Sequence, residues 1–371
     1  MEYQITKLAV LTDSHSAALR HLLSRAEMQT DQLAMTTERW PDVMFLPNLK
    51  SAGTLPVGFF RNEILCGFAL FCREKRWLSG KPQEVWSLSR IYIAPEGRGF
   101  GFLARLTEMP EVVELARGKF GYANVLVGNR AVESYLGRSS KRFPALPNLI
   151  EMRENVSSIR GTFGLPKYSK RIVVRRADSG DADELLEVLQ QQHQKRLLGR
   201  YWNESTLSSL TLGRPDTDWS NWWLAEHNRE VIGAVFAWEC SRCNQNRLNA
   251  MPRHLRMMVG SWNLILSRLG WPRLPNSGEV IPMVSLNDLV IKREQVQVIR
   301  AFTREIGMWA RRRGVPLLLL TTDAEDPART SFRSLLGTEL RSHLLILGSE
   351  KESEKTFQSP QVLHYCDSDL L

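Results

Sequence analysis

The segment IYIAPEGRGFGFLARL, residues 91 to 106, has the residue types and spacing of an anion site. A short apolar run, Ile91-Tyr92-Ile93, meets Pro95, then Gly97, Gly99 and Gly101 follow, and a helical pattern begins at Phe102. Glycines without a Cβ let a backbone turn so that several N–H groups face one concavity, and the positive end of the next helix adds to the field there. A pyrophosphate suits such a cradle, and Arg98 within it supplies charge or shapes the loop.

The chain that must position this loop has 371 residues, which predicts two domains rather than one core. Hydrophobic residues make up 43% of it, as in a globular protein. The amino-terminal segment breaks its apolar positions with polar ones, and the longest apolar runs, such as Val315 to Leu320, are too short to cross a bilayer; a cytoplasmic protein without a membrane span is expected. Five scattered cysteines argue against a disulfide framework, and Cys240 and Cys243 lack the second pair that a zinc site needs, so no metal is expected. Lys and Arg outnumber Asp and Glu by 49 to 40, a net charge of +9 that suits nucleic acid, an anionic membrane or a polyanionic cofactor without choosing among them.

The sequence repeats itself. An Asp-Ser step before an amphipathic helix occurs at Asp13-Ser14 and at Asp178-Ser179, where it can cap the helix. FFRNEILCGFALF from Phe59 and AEHNREVIGAVFA from Ala225 both read as hairpins around an Asn turn. VWSLSRIYI from Val85 aligns with MVSLNDLVI from Met283, and Tyr135 with Phe332. The offset jumps by about thirty residues between the second and third landmarks, which places an insertion near 240–282 in the second copy. Within it, RHLRMMVGSWNLILSRL carries an apolar stripe at helical spacing, the pattern of core or an interdomain seam, with a membrane-surface or partner-binding helix as the alternative. Two domains are expected, 1–160 and 171–350, with 351–371 as a tail. Each reads as an α+β unit, a mixed and mainly antiparallel central sheet flanked by helices.

On the segment Pro95 to Gly101 and the strand LSRIYI before it, the chain resembles the GNAT acyltransferase superfamily, in tandem over nearly its whole length. That family's signature is Arg-x-x-Gly-x-Gly/Ala. With Arg98 first, Gly101 fits and Leu103 stands where Gly or Ala is expected; with Glu96 first, Gly99 and Gly101 fit, but a carboxylate lies beside the polyanion. The resemblance implies acetyl-coenzyme A, or another acyl-coenzyme A, as co-substrate. It implies a cofactor site formed by Ile91, Tyr92, Ile93, Arg98, Gly99, Phe100, Gly101, Phe102, Leu103, Ala104 and Asn129. It further implies that Tyr135, in YANVLVGNRAVESYLG, protonates the departing thiolate, as a phenol can. The amine acceptor must lose a proton, for which Glu84 is the carboxylate best placed by sequence, or a water held by Ser87 or Ser89. The acceptor, a small molecule or a peptide, is not specified.

At the position of the loop the second copy reads IKREQVQVIRAF, without glycine, and Phe332 replaces the tyrosine. The expectation is a degenerate carboxy-terminal copy that covers the first and helps to form the acceptor site, with Trp222, Trp223, Trp238, Arg253 and Arg256 as contributors. The rival expectation is a GNAT-like module without catalysis whose basic surface holds nucleic acid or a protein partner. A third, an aminoacylated RNA donor, has little use for a pyrophosphate cradle.

Overall fold

The computed structural model describes residues 6–29, 34–39, 41–117, 119–127, 148–293, 295–332, 337–348, 363 and 364. In chain order the first half contains strand β1 (Thr6–Val10), helix α1 (Ser16–Ser24), β2 (Glu27–Gln29), β3 (Ala34–Arg39), α2 (Phe45–Lys50), β4 (Gly53–Arg61), β5 (Ile64–Leu78), β6 (Lys81–Ile93), α3 (Phe102–Leu106), α4 (Pro110–Ala116), β7 (Gly121–Leu126) and β8 (Asn148–Gly161). The second contains β9 (Val173–Arg176), α5 (Ala182–His193), β10 (Gly199–Arg200), α6 (Glu204–Leu212), β11 (Trp222–His227), β12 (Glu230–Glu239), β13 (Asn244–Ala250), α7 (Arg253–Arg268), β14 (Met283–Ile291), α8 (Gln295–Arg312), β15 (Leu317–Asp323), α9 (Pro327–Phe332) and β16 (Gly337–Gly348).

The repeated landmarks adopt matching geometry. Asn62-Glu63 and Asn228-Arg229 turn their hairpins with both residues at positive φ, 48° and 65° in one, 53° and 66° in the other, the twist that a two-residue hairpin loop requires. Ahead of each first long helix a reciprocal cap closes a short turn: Thr12 with His15, and Asp178 with Asp181. In the first half the cap is therefore Thr12, one residue before the expected Asp-Ser step.

Among the described residues thirteen strands form one sheet, in the order β1-β4-β5-β6-β7-β16-β8-β15-β14-β12-β11-β9, with β10 paired to β5. The order reads as two mirrored halves, and the last strand of each lies in the other. β16 runs antiparallel to β7, β8 runs antiparallel to β15, and the exchanged strands pair with each other from Gly337 to Gly348. A second sheet, β13-β3-β2, ties the inserted segment to the first half.

Two parallel contacts interrupt the antiparallel ladder, and both end early. β6 pairs with β7 only from Trp86 to Leu88, and β14 with β15 only from Met283 to Leu286. Beyond these points the strands part. At each parting the neighbouring ladder shifts register, leaving Ser89 unopposed in β6 and Asp288 at φ 52° in β14, where an irregularity re-aims the strand.

Side chains alternate across this sheet into cores on both faces. Phe59, Phe71, Trp86, Phe102, Leu106 and Val112 join α3 and α4 to one face of the first half, while Leu19, Leu22 and Leu23 of α1 cover the other with Phe68 and Leu70. In the second half α8 supplies Val298, Phe302 and Ile306 to one face, and Leu185 and Leu189 of α5 lie on the other with Trp202 and Trp222. Phe102 is 2% exposed and packs 5.3 Å from Phe59, centroid to centroid. Burying a side chain of this size contributes about 1.5–3 kcal/mol, which anchors the far end of the glycine loop.

The stripe on α7 departs from expectation. Only Leu266 is buried; Leu255 and Val259 pack partly against the core and Trp262 stacks on Phe163, while the other apolar side chains face outward. A helical period shows that residues share a face, not that something covers it.

Candidate functional site

The three glycines of the loop have different tasks. Gly97 is buried, and a Cβ there would lie 2.8 Å from the carbonyl oxygen of Cys66 and 3.2 Å from its sulfur, so this glycine serves close packing. Gly99 and Gly101 hold φ of 85° and 68°, and a Cβ on either would meet nothing within 4 Å. They supply conformation to an open concavity. From Gly99 to Ala104 the backbone N–H groups have no hydrogen-bond partner among the described residues. Helix α3, opening at Phe102, spans only five residues, so the field here comes from the row of amides more than from a helix dipole.

Around this row the expected residues fall as follows. Arg98 is exposed, and Glu96 is taken up by Arg25 at 2.9 Å. Backbone hydrogen bonding at Glu96 itself, then Arg25, holds its carboxyl below the usual range. Arg61 donates to the Glu96 carbonyl at 2.9 Å and lies 4.5 Å over the Phe100 ring, which braces the loop from below. Leu103 packs against the core cluster with Phe102, so its side chain is directed inward. Ala104 is half-buried. Ile91 and Ile93 face that same cluster; Tyr92 faces α1 and donates from its hydroxyl to the Arg25 carbonyl at 3.0 Å. From Ser89 onward the edge of β6 that faces β7 is paired to no strand among the described residues, leaving backbone groups open beside the amide row. Asn129 and Tyr135 lie outside the described residues.

Glu84 sits earlier on β6, exposed, in an ion pair with Lys119 at 2.9 Å; that hydrogen bond holds its carboxyl below the usual range. On the opposite face of the strand lies a carboxylate that sequence reasoning missed. Glu74 is 8% exposed and accepts from Ser87 at 2.8 Å and Tyr122 at 3.0 Å, with Arg76 also paired to it. Burial, ahead of the neighbouring Arg76, pushes the Tyr122 hydroxyl well above its ordinary pKa. The available signal was the run Arg73-Glu74-Lys75-Arg76, in which strand alternation sends one member of each pair inward. Past the irregularity, Arg90 is half-buried and its guanidinium forms no hydrogen bond or ion pair among the described residues. Burial, and then the nearby Arg39, make its positive charge costly.

The second half closes its own parting strands. Arg196 donates to the Leu289 carbonyl at 3.1 Å, Arg200 pairs with Asp288 at 3.2 Å, and His364 enters from the far end of the chain against Asp323, at 2.7 Å, and Asn155. Where the first half has its loop, β14 runs within a few residues into the 18-residue α8. Phe332 is fully buried among apolar neighbours. Trp222, Trp223 and Trp238 are likewise core, whereas Arg253 and Arg256 are exposed on α7.

The His364 contact has a measurable consequence. Burial would raise the Asp323 carboxyl, but the hydrogen bond and charge of His364, with the Glu325 and His364 amides, outweigh it and bring the pKa to about 2. Because the folded pKa lies below that of a free carboxyl, this stabilisation is complete above about pH 4 and is lost as pH falls toward 2. Asp323→Asn is expected to flatten the acid limb of stability against pH between 4 and 2, measured by urea midpoints.

No family model matches the chain, and no curated protein matches it. Among solved structures it is similar to N-myristoyltransferase of Saccharomyces cerevisiae with bound myristoyl-CoA, at 8% identity and TM-score 0.60 over 94% of this chain and 80% of that one. The chain shares the fold of that enzyme. It is also similar to a probable N-acyltransferase from Enterococcus faecalis, at 12% identity and TM-score 0.50 over 94% of this chain and 74% of that one. A GCN5-related N-acetyltransferase from Kribbella flavida matches at 13% identity and TM-score 0.47, over 92% and 71% of the two chains. At these identities the likeness is one of fold.

Proposed function

We propose that the protein is an acyl-coenzyme A-dependent N-acyltransferase, with acetyl-coenzyme A as the first donor to test. The observation that carries this reading is the row of amides from Gly99 to Ala104, without partners among the described residues and set beside the open edge of β6. These amides and Arg98 would hold the pyrophosphate, and the edge from Ser89 to Ile93 the pantetheine arm, whose amides match a strand edge. Bound, the donor supplies an activated acyl thioester. The chain's own residues then have to move two protons. Tyr135 is assigned as the donor to the leaving thiolate, and the acceptor amine gives its proton to Glu84 or, from the other face of β6, to Glu74 through Ser87. The unmatched guanidinium of Arg90 favours an amine acceptor that carries a carboxylate. The filled cleft of the second half favours a covering role there.

The test is calorimetric titration with acetyl-, octanoyl- and myristoyl-coenzyme A, followed by transfer assays with amino acids and their amides. Binding of at least one donor, with amino acids preferred over their amides, is expected. Tyr135→Phe is expected to lower kcat by one to two orders of magnitude with donor affinity unchanged. Arg90→Gln is expected to raise KM for the acid but not for the amide. Failure of all three donors to bind overturns the reading.

A further inference from the structure

The outward face of α7 is a feature that the proposed reaction does not use. The helix is held from one side: Leu266 is buried, Trp262 stacks on Phe163, and the Asn263 side chain clamps Leu274, accepting from its N–H at 2.7 Å and donating to its carbonyl at 3.0 Å. A helix fixed this firmly has no need of exposed apolar residues for its own stability. Yet Met257 is 66% exposed, Leu264 59%, Leu269 54%, Met258 50% and Ile265 48%. At 100° per residue, Met258, Ile265 and Leu269 fall within about 40° of one another, and Met257 and Leu264 within about 20°.

Charge decides what could cover this face. Arg253–Arg268 contains Arg253, Arg256 and Arg268, all exposed, and no Asp or Glu. At the carboxy-terminal end, Arg311 lies 4.1 Å over the Trp271 ring and brings Arg312 and Arg313 to the same region, both exposed, Arg313 with Glu239 at 3.4 Å; Arg273 is paired with Glu279. Long cationic side chains beside apolar ones can keep their heads in a phosphate layer while the apolar groups enter the acyl boundary. A second copy would oppose like charge to like charge, and nucleic acid would leave Met257 and Leu264 against a polar backbone.

From this juxtaposition we infer that α7 is a membrane-surface helix that docks the protein onto anionic phospholipid. Insertion is in the interface plane, because among the described residues no helix is long and apolar enough to cross a membrane. The inference stands independently of the acyl-transfer reading, since the face lies outside the amide row and the cleft of β6.

The experiment is flotation of the full chain with vesicles of phosphatidylcholine alone or with 30 mol% phosphatidylglycerol. At least tenfold greater recovery with the anionic vesicles is expected, falling severalfold at 0.5 M salt as screening shortens the reach of the charges. Met258→Glu with Ile265→Glu should reduce recovery at least tenfold, and Arg253→Gln with Arg256→Gln and Arg268→Gln severalfold. Because all these side chains are exposed, Tm should stay within a few degrees of the parent, and acetyl-coenzyme A titration gives a separate readout of the folded state. Recovery no greater with anionic vesicles than with phosphatidylcholine overturns the inference. So does dimerisation, seen by light scattering, that the glutamate pair abolishes, or binding to an RNA oligonucleotide that the same pair abolishes.

Discussion

Gly99→Val and Gly101→Val are expected to raise the Kd for acetyl-coenzyme A by about 100-fold each, equivalent to about 2.8 kcal/mol, while barely moving Tm. The two residues hold φ of 85° and 68°. A non-glycine residue there costs about 1–3 kcal/mol, and β-branching places it at the upper end. No steric clash adds to this, because a Cβ at either position meets nothing within 4 Å. The loop relieves the strain by relaxing its backbone, and the amides from Gly99 to Ala104 then no longer converge. Gly97→Ala is the contrasting variant. Its Cβ meets the Cys66 carbonyl at 2.8 Å, so its cost falls on the contact between the loop and β5, and it should lower Tm. Calorimetric titration beside thermal melts separates the two classes. Unchanged donor affinity in both valine variants would refute the phosphate cradle.

Much of this site was legible because its demands are local. A turn at positive φ selects glycine, and turn residues with alternation marked the hairpins at Asn62-Glu63 and at Asn228-Arg229-Glu230, of which the structure puts only the first two residues of the second at positive φ. The role of Gly97 was not legible, since it depends on Cys66, a neighbour only in space. Leu103 stands where the signature expects Gly or Ala, but the direction of its side chain is set by where α3 meets the core, which spacing alone does not encode. Arg73-Glu74-Lys75-Arg76 reads as an exposed charged strand; Glu74 and Arg76 become interior because β10 pairs along the edge of β5 and a cluster with Tyr122, Leu197 and Leu198, distant in sequence, forms beside them. The paired landmarks were legible in the sequence, and the sheet order has a matching two-part symmetry. The destination of β8 and β16 was not: alternation fixes which face of a strand is apolar and leaves its neighbour unspecified.

That exchange predicts the fate of the chain when it is cut. Division near residue 165, where the sequence places the linker, is expected to give fragments 1–165 and 166–371 that show no cooperative unfolding alone and recover it when coexpressed. In the first fragment β7 loses β16, and β8 loses both of its partners, β15 and β16. Swinging β8 back beside β7 would mimic an unexchanged fold, but its side chains are matched elsewhere. Ile159 packs with Leu317, Leu319 and Leu340, Arg160 pairs with Glu339 at 2.6 Å, and the Ser157 hydroxyl bonds that of Thr321 at 2.9 Å. Moved to β7, Arg160 would carry a buried charge without its carboxylate, and such a loss typically costs about 3–5 kcal/mol. Left where it is, the strand offers open edges that pair with other chains. Coexpression restores both neighbours at once, so the two fragments should copurify as a stable one-to-one complex. A monomeric 1–165 fragment with a sharp thermal transition would show instead that β8 tolerates the place beside β7, and that the exchange contributes little to the stability of the whole.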